Sequence, residues 1–250
     1  VRMIEAALAR LSATGTLAPA APAPAPPRPS APAYLRALAH GFSERAARPL
    51  AAKAGLRPGQ FHLRLGPGDP LDFDPAALAE VGPTGDRIWA DPFLFEHGGE
   101  VFVFYEEADF RAGRGHIGVG RVTDGRVEEI GPALVRPHHL SYPVVFGWEG
   151  EILMMPETIG AGRLEILRAT DFPTGWEVWR TGFEGELLAD SVLHREDGQW
   201  YLFTNRCFDR FGDYCSELHL YLVDGPELRE IRPHPLNPVA VDGRSARGAG

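Results

Sequence analysis

Three stretches of this chain align with one another without a gap over 18 residues: "ADPFLFEHGGEVFVFYEE" from Ala90, "SYPVVFGWEGEILMMPET" from Ser141 and "ADSVLHREDGQWYLFTNR" from Ala189. Each reads as an apolar strand, a Gly-containing tight turn and a second apolar or aromatic strand, the signature of a β-hairpin. Each continues into a third strand: "GHIGVGRV" (115–122), "GRLEILRA" (162–169) and "ELHLYLV" (217–223). A fourth copy begins at "RSARGAG" (Arg244 to Gly250), with Ala246 in the register of Asp91. Successive copies start 51, 48 and 56 residues apart. A period of roughly 40–50 residues built from antiparallel meanders marks a β-propeller, with about four strands per blade. Tandem immunoglobulin-like sandwiches would need about 100 residues each. The expected fold is therefore an all-β propeller, incomplete in this chain: three full blades and part of a fourth, so that the chain reads as a fragment.

The N-terminal quarter has a different character. "VRMIEAALARLSATG" (1–15) is an amphipathic helix pattern, expected to be the last helix of an upstream domain of the same polypeptide. Residues 16–33 contain "APAAPAPAPPRPSAPA", an Ala-Pro tract that favours extended polyproline geometry and reads as a semi-rigid linker. Residues 34–58 form a basic helical pattern interrupted at Pro49, and "FHLRLG" (61–66) alternates as a first strand of the propeller domain, 59–250. Charge follows the same division. Residues 1–57 hold eight basic and two acidic residues, whereas 58–250 hold 17 and 32. The overall charge of −9 argues against a nucleic-acid partner. No apolar run approaches the roughly 20 residues of a membrane span, and the start resembles no signal peptide, so a cytoplasmic location is expected. Cys207 and Cys215 lie in one loop and are expected as reduced thiols, without the ligand set of a zinc site.

The repeat also predicts a site. In a propeller the first strand of every blade lines the central channel, so equivalent positions in different blades face one funnel. Asp91, Tyr142 and Asp190 fall in one register; fifteen residues later, so do Glu106, Glu157 and Asn205. Carboxylates gathered at one rim shift one another's pKa values and can serve as acid and base, the equipment of glycoside hydrolysis. The candidate catalytic residues are Asp91, Glu157 and Asp190. The candidate ligand-binding residues are Glu107, His139, Tyr142, Arg244 and Arg247, the two arginines suited to an anionic group such as phosphate or carboxylate. Each has a plainer reading. Aspartates before buried strands often accept backbone N–H groups in turns. Of the adjacent Glu106 and Glu107 only one points inward. The arginines also balance an acidic surface. His138 and His139 point to opposite sides of an extended chain, so no metal is expected, and no cofactor. Trp148, Trp176, Trp179 and Trp200 are read mainly as packing residues.

"WADPFLFEHGGEVFVFYEE", "HLSYPVVFGWEGEILMMPET", "GRLEILRATDFPTGWE" and "NPVAVDGRSARGAG", in that order over residues 60–250, resemble one domain family. Its members are the N-terminal region of plant glucosamine inositolphosphorylceramide transferases and bacterial proteins in which the domain follows a formyltransferase-like module. The resemblance implies a five-bladed propeller, similar in architecture to arabinanase- and invertase-type glycoside hydrolases. It also implies places for a base or nucleophile at Asp91 and an acid at Glu157. The chain departs from that pattern at Tyr142, where many such hydrolases carry an aspartate. Three functions follow: a carbohydrate-recognition module binding a sugar or sugar phosphate within a larger glycan-modifying protein, a glycoside hydrolase-like enzyme, or a protein-interaction propeller.

Overall fold

Alternating large apolar residues on paired strands cannot all be buried by a single sheet. In a computed structural model of the chain they are buried by stacking sheets face to face. The structure describes residues 30–36, 38–40, 42–43, 61–68, 74–83, 87–109, 114–207, 216–241 and 246. The chain divides into two compact units, one within 2–61 and the other from His62 onward.

In the first unit, residues 31–36, 38–40 and 42–43 are helical. Ser30 caps this segment: its carbonyl accepts from the Tyr34 N–H (2.9 Å) and its hydroxyl from the Ala33 N–H (3.4 Å). Pro32 in the first turn removes a donor that no helical carbonyl would have met.

The second unit is built of strands. A small sheet pairs β1 (Leu63–Leu65) with β2 (Ala79–Val81). The first large sheet is a meander of β3 (Arg87–His97), β4 (Glu100–Asp109), β5 (Gly115–Thr123) and β6 (Arg126–Leu134). The second follows with β7 (Ser141–Trp148), β8 (Glu151–Glu157), β9 (Leu164–Asp171) and β10 (Gly175–Gly182). The third contains β11 (Leu187–Glu196), β12 (Gln199–Cys207), β13 (Glu217–Val223) and β14 (Ile231–Pro233), with β15 (Ala240–Val241) also paired to β13. All pairings are antiparallel. The first hairpin of each large sheet turns through two residues of positive φ: Gly98–Gly99, Glu149–Gly150 and Asp197–Gly198. That geometry matches the right-handed twist of the flanking strands, and glycine at the second position adopts it without a Cβ clash.

Side chains on successive strand positions leave by opposite faces, and here each face meets a different neighbour. Phe102 and Phe104 of β4 point into a cluster with Leu140, just before β7, and with Val145, Met154 and Leu167 of the second sheet. Val103 and Tyr105, between them in sequence, join Trp89 and Leu63 on the side of the small sheet. On β8, Met154 belongs to the first seam, while Leu153 and Met155 belong to a second with Leu188, Leu202 and Tyr221 of the third sheet. The sheets therefore stack as the layers of a propeller-like all-β fold. Phe104 is fully buried at its seam, where truncation to alanine costs about 3–5 kcal/mol.

Candidate functional site

Each large sheet carries the same irregularity at the same place. Ala90 pairs with Glu106 and Phe93 with Phe104, so Asp91 and Pro92 together face Tyr105 alone. Ser141 pairs with Glu157 and Val144 with Met155, leaving Tyr142 and Pro143 opposite Pro156. Ala189 pairs with Asn205 and Val192 with Phe203, leaving Asp190 and Ser191 opposite Thr204. These are three β-bulges, two residues against one, which kink a strand and re-aim its side chains. The first residue of each has left-handed backbone: φ is 46° at Asp91, 49° at Tyr142 and 50° at Asp190. For a residue with a Cβ this costs roughly 1–2 kcal/mol, and for a bulky one such as Tyr142 it is a marked outlier. Asp124, Glu149 and Asp197, which share such φ values, lie in hairpin turns where it is required. Nothing in a hairpin explains the bulges.

The second-strand residues in register, Glu106, Glu157 and Asn205, are the direct cross-strand partners of the residue before each bulge. Around the first bulge the structure brings residues of the first sheet together with the segment that leads into β7. The Gly115 N–H, at the start of β5, donates to His139 Nδ1 (2.8 Å), and the Gly115 carbonyl accepts from the Leu140 N–H (3.0 Å). With Nδ1 an acceptor, the neutral imidazole carries its proton on Nε2. Nε2 lies 3.5 Å from Glu106 Oε1. Burial lowers the pKa of His139; the charge of Asp91 opposes that shift and His138 adds to it. Asp91, Glu106 and His139 thus share one electrostatic neighbourhood at the seam of the first two sheets. A Cβ on Gly115 would lie 2.7 Å from the Leu140 carbonyl oxygen and 2.8 Å from both Glu106 Oε1 and His139 Cε1. Only glycine permits this approach. Tyr142 adjoins the group, its ring packed edge-on against Phe93 with centroids 5.1 Å apart.

The remaining candidates are placed as follows. Glu157 is half-buried at the end of β8. The next residue, Thr158, anchors that end by donating from its hydroxyl to the Arg163 carbonyl (2.8 Å). Asp190 is buried at the third bulge, beside a hydroxyl pair of Ser191 and Thr204 (2.8 Å). Glu107 leaves β4 by the face opposite Glu106. It accepts from Arg87 (3.0 Å), which also grips Glu129 through two bonds of 2.7 and 2.9 Å. The third sheet repeats this diagonal pair with charges exchanged: Arg206, in the register of Glu107, donates to Glu186, in the register of Arg87. Of the adjacent acids, Glu107 is thus held by Arg87 and Glu106 lies beside His139. Arg244 and Arg247 lie outside the described residues. The tryptophans sit where packing was expected. Trp176 lines the first seam; Trp148, Trp179 and Trp200 line the second. Sequence reasoning missed Gly115, whose part depends on a neighbour 24 residues away, in the loop before β7.

The bulges and acids fall within residues 75–250, which match the family model described as "Glucosamine inositolphosphorylceramide transferase 1, N-terminal". A glucosamine inositolphosphorylceramide transferase 1 of Oryza sativa subsp. japonica is 38% identical over 179 residues, covering 70% of this chain and 24% of that protein. The Arabidopsis thaliana protein of the same name is 32% identical over 163 residues, 64% of this chain and 21% of its own length. The chain thus spans about a quarter of the length of the curated relatives it matches. Among solved structures, an exo-β-1,3-galactanase from Phanerochaete chrysosporium, determined with β-1,3-galactotriose, superposes with a TM-score of 0.50 at 10% identity. That match covers 62% of this chain and 40% of the galactanase, and at such identity it bears on fold alone. The match over most of the repeat region and the relatives above 30% identity agree: this chain belongs to the family of the N-terminal region of glucosamine inositolphosphorylceramide transferase 1.

Proposed function

We propose that the strand unit is a carbohydrate-recognition module, part of a five-bladed propeller, which binds a sugar or sugar phosphate where the bulged strand ends converge. The observation that carries this reading is the bulge repeated at Asp91, Tyr142 and Asp190. Left-handed backbone at three equivalent non-glycine positions persists only if something over-determines it, and such strain concentrates at ligand sites. Asp91, Glu106 and Glu157 supply acceptors for sugar hydroxyls, and His139 Nε2–H supplies a donor. Arg244 and Arg247 would meet an anionic substituent. The relatives' name describes transfer of glucosamine to a phosphorylated inositol lipid, and an amino sugar or its phosphate is accordingly the first ligand to try. Held by an Ala-Pro linker, the module would raise the local concentration of its ligand at an upstream domain.

Hydrolysis is the second reading, with Asp91 as base or nucleophile and Glu157 as acid. One observation favours it: two carboxylates at equivalent ends of strand pairs in different sheets, which can flank a glycosidic bond. A glycan array, extended with glucosamine and glucosamine phosphate, followed by calorimetry on hits, tests both. Asp91→Asn and Glu157→Gln are each expected to weaken binding by at least about tenfold, the scale of a lost charged hydrogen bond. Unchanged binding with lost turnover in Glu157→Gln would favour the hydrolase. Asp91→Gly separates ligand site from scaffold. If the aspartate is held strained for a ligand, glycine abolishes binding and raises stability by about 1 kcal/mol. Were Asp91 a structural turn residue, the same change would lower stability.

A further inference from the structure

In the N-terminal helical segment every described residue from 30 to 43 is exposed, the large apolar ones included. Tyr34 is 57% exposed, Leu35 63%, Leu38 41% and Phe42 69%. At about 100° per residue these four fall within a single stripe roughly 100° wide, the apolar face of an amphipathic helix. Arg36 and His40 project from the other side of the helix, and the Ser43 hydroxyl donates to the His40 carbonyl (2.8 Å). The surrounding sequence is strongly basic: residues 28–57 contain Arg28, Arg36, Arg45, Arg48, Lys53 and Arg57 against a single acid, Glu44.

We propose that this segment binds the surface of an anionic lipid bilayer, lying in the interface with Tyr34, Leu35, Leu38 and Phe42 among the acyl chains. The argument is one of complementarity. An exposed stripe of two leucines and two aromatic residues suits the boundary between headgroups and acyl chains, and neighbouring arginines suit anionic headgroups. Among the described residues no helix is long and apolar enough to cross a bilayer. The proposed mode is surface binding, carried by the amphipathic pattern. The whole chain carries a net charge of −9 and residues 58–250 are acidic, so non-specific attraction to an anionic surface is not expected from the rest of the molecule.

Co-sedimentation of the full chain tests this, with vesicles of equimolar phosphatidylserine and phosphatidylcholine set against vesicles of pure phosphatidylcholine. The chain is expected to pellet with the anionic vesicles only, less so as salt is raised. The double variant Leu35→Glu, Phe42→Glu should weaken that binding at least about tenfold. A second variant, Arg36→Gln with Arg45→Gln and Arg48→Gln, should weaken it while leaving the apolar stripe intact. No pelleting, or pelleting indifferent to both variants, overturns the proposal. So does self-association, seen as a concentration-dependent mass that Leu35→Glu, Phe42→Glu abolishes in the absence of vesicle binding, because a second copy would then be the occupant.

Discussion

At the first bulge Asp91 is half-buried, and the paired Glu106 lies beside a histidine whose ring edge reaches solvent. At the third, Asp190 is 1% exposed and the residue in place of Glu106 is Asn205, with no exposure at all. The Asn205 amide donates to the carbonyls of Glu217 (3.0 Å) and Ala246 (2.9 Å), tying β12 to the next strand and to the start of the fourth repeat. The Thr204 hydroxyl donates on to the Ala189 carbonyl (3.2 Å) beneath the bulge. One backbone device thus serves two ends. In the first sheet it holds carboxylates next to an accessible donor, and in the third it locks main chain to main chain. A repeat gives each copy the same frame; the residue at one register position decides whether that copy meets a part-exposed histidine, as Glu106 does, or ties main chain to main chain, as Asn205 does.

Asn205→Leu attacks the closed copy and should have the largest effect. It leaves the Glu217 and Ala246 carbonyls without that donor in a fully buried place, at roughly 1–3 kcal/mol for each. A loss of about 3 kcal/mol in urea unfolding is expected, against less than about 1 kcal/mol for Glu106→Gln in the open copy. Equal losses in the two variants would dissolve the distinction between the copies.

Gly115→Ala probes the open copy and ranks second. The added methyl meets a main-chain oxygen at 2.7 Å, which yields less readily than a side chain. Overpacking of this kind costs about 1–3 kcal/mol. The same shift should displace His139 from its hydrogen bond, so ligand affinity should fall further than that of a control such as Gly147→Ala, whose added Cβ meets nothing within 4 Å. A Gly115→Ala protein with normal stability and normal histidine NMR shifts would show that the seam has slack the geometry denies it.

Much of this frame was legible in the sequence, and the reasons are local. A two-residue hairpin loop sets strand register, so a gapless alignment of three hairpins places Glu106, Glu157 and Asn205 opposite equivalent residues. The bulges were harder to see because all three copies contain one, and a shared insertion leaves no gap. Pro92 and Pro143, inside apparent strands, are the trace they leave, since proline within a ladder marks an edge or a bulge. The choice between Glu106 and Glu107 was not legible. Alternation says only that one faces each way; that Glu107 meets Arg87 and Glu106 meets His139 is settled by residues of other strands and the loop before β7. The union of Gly115 with His139 joins a strand to the loop before β7 and has no periodic signal at all.

Acid tests the histidine itself, with the smallest effect of the three. The pKa of His139 lies below its ordinary value because burial penalises the charged ring. In the unfolded chain it returns to about 6.5. Between the two values the unfolded state binds more protons, so stability rises with pH across that window; it is complete above about pH 6.5 and lost as pH falls through the folded value. His234, also lowered by burial, acts in the same sense. His139→Gln removes one of these two contributions while the amide oxygen can still accept from Gly115, so the variant should lose less stability between about pH 6.5 and 5 than the parent. Because the ring is half-exposed, the difference will be a modest change in slope and not a shifted transition. If the parent and variant slopes coincide, His139 is not held neutral by its half-buried setting, and the contrast with the sealed Asn205 would then rest on Asp91 and Glu106 alone.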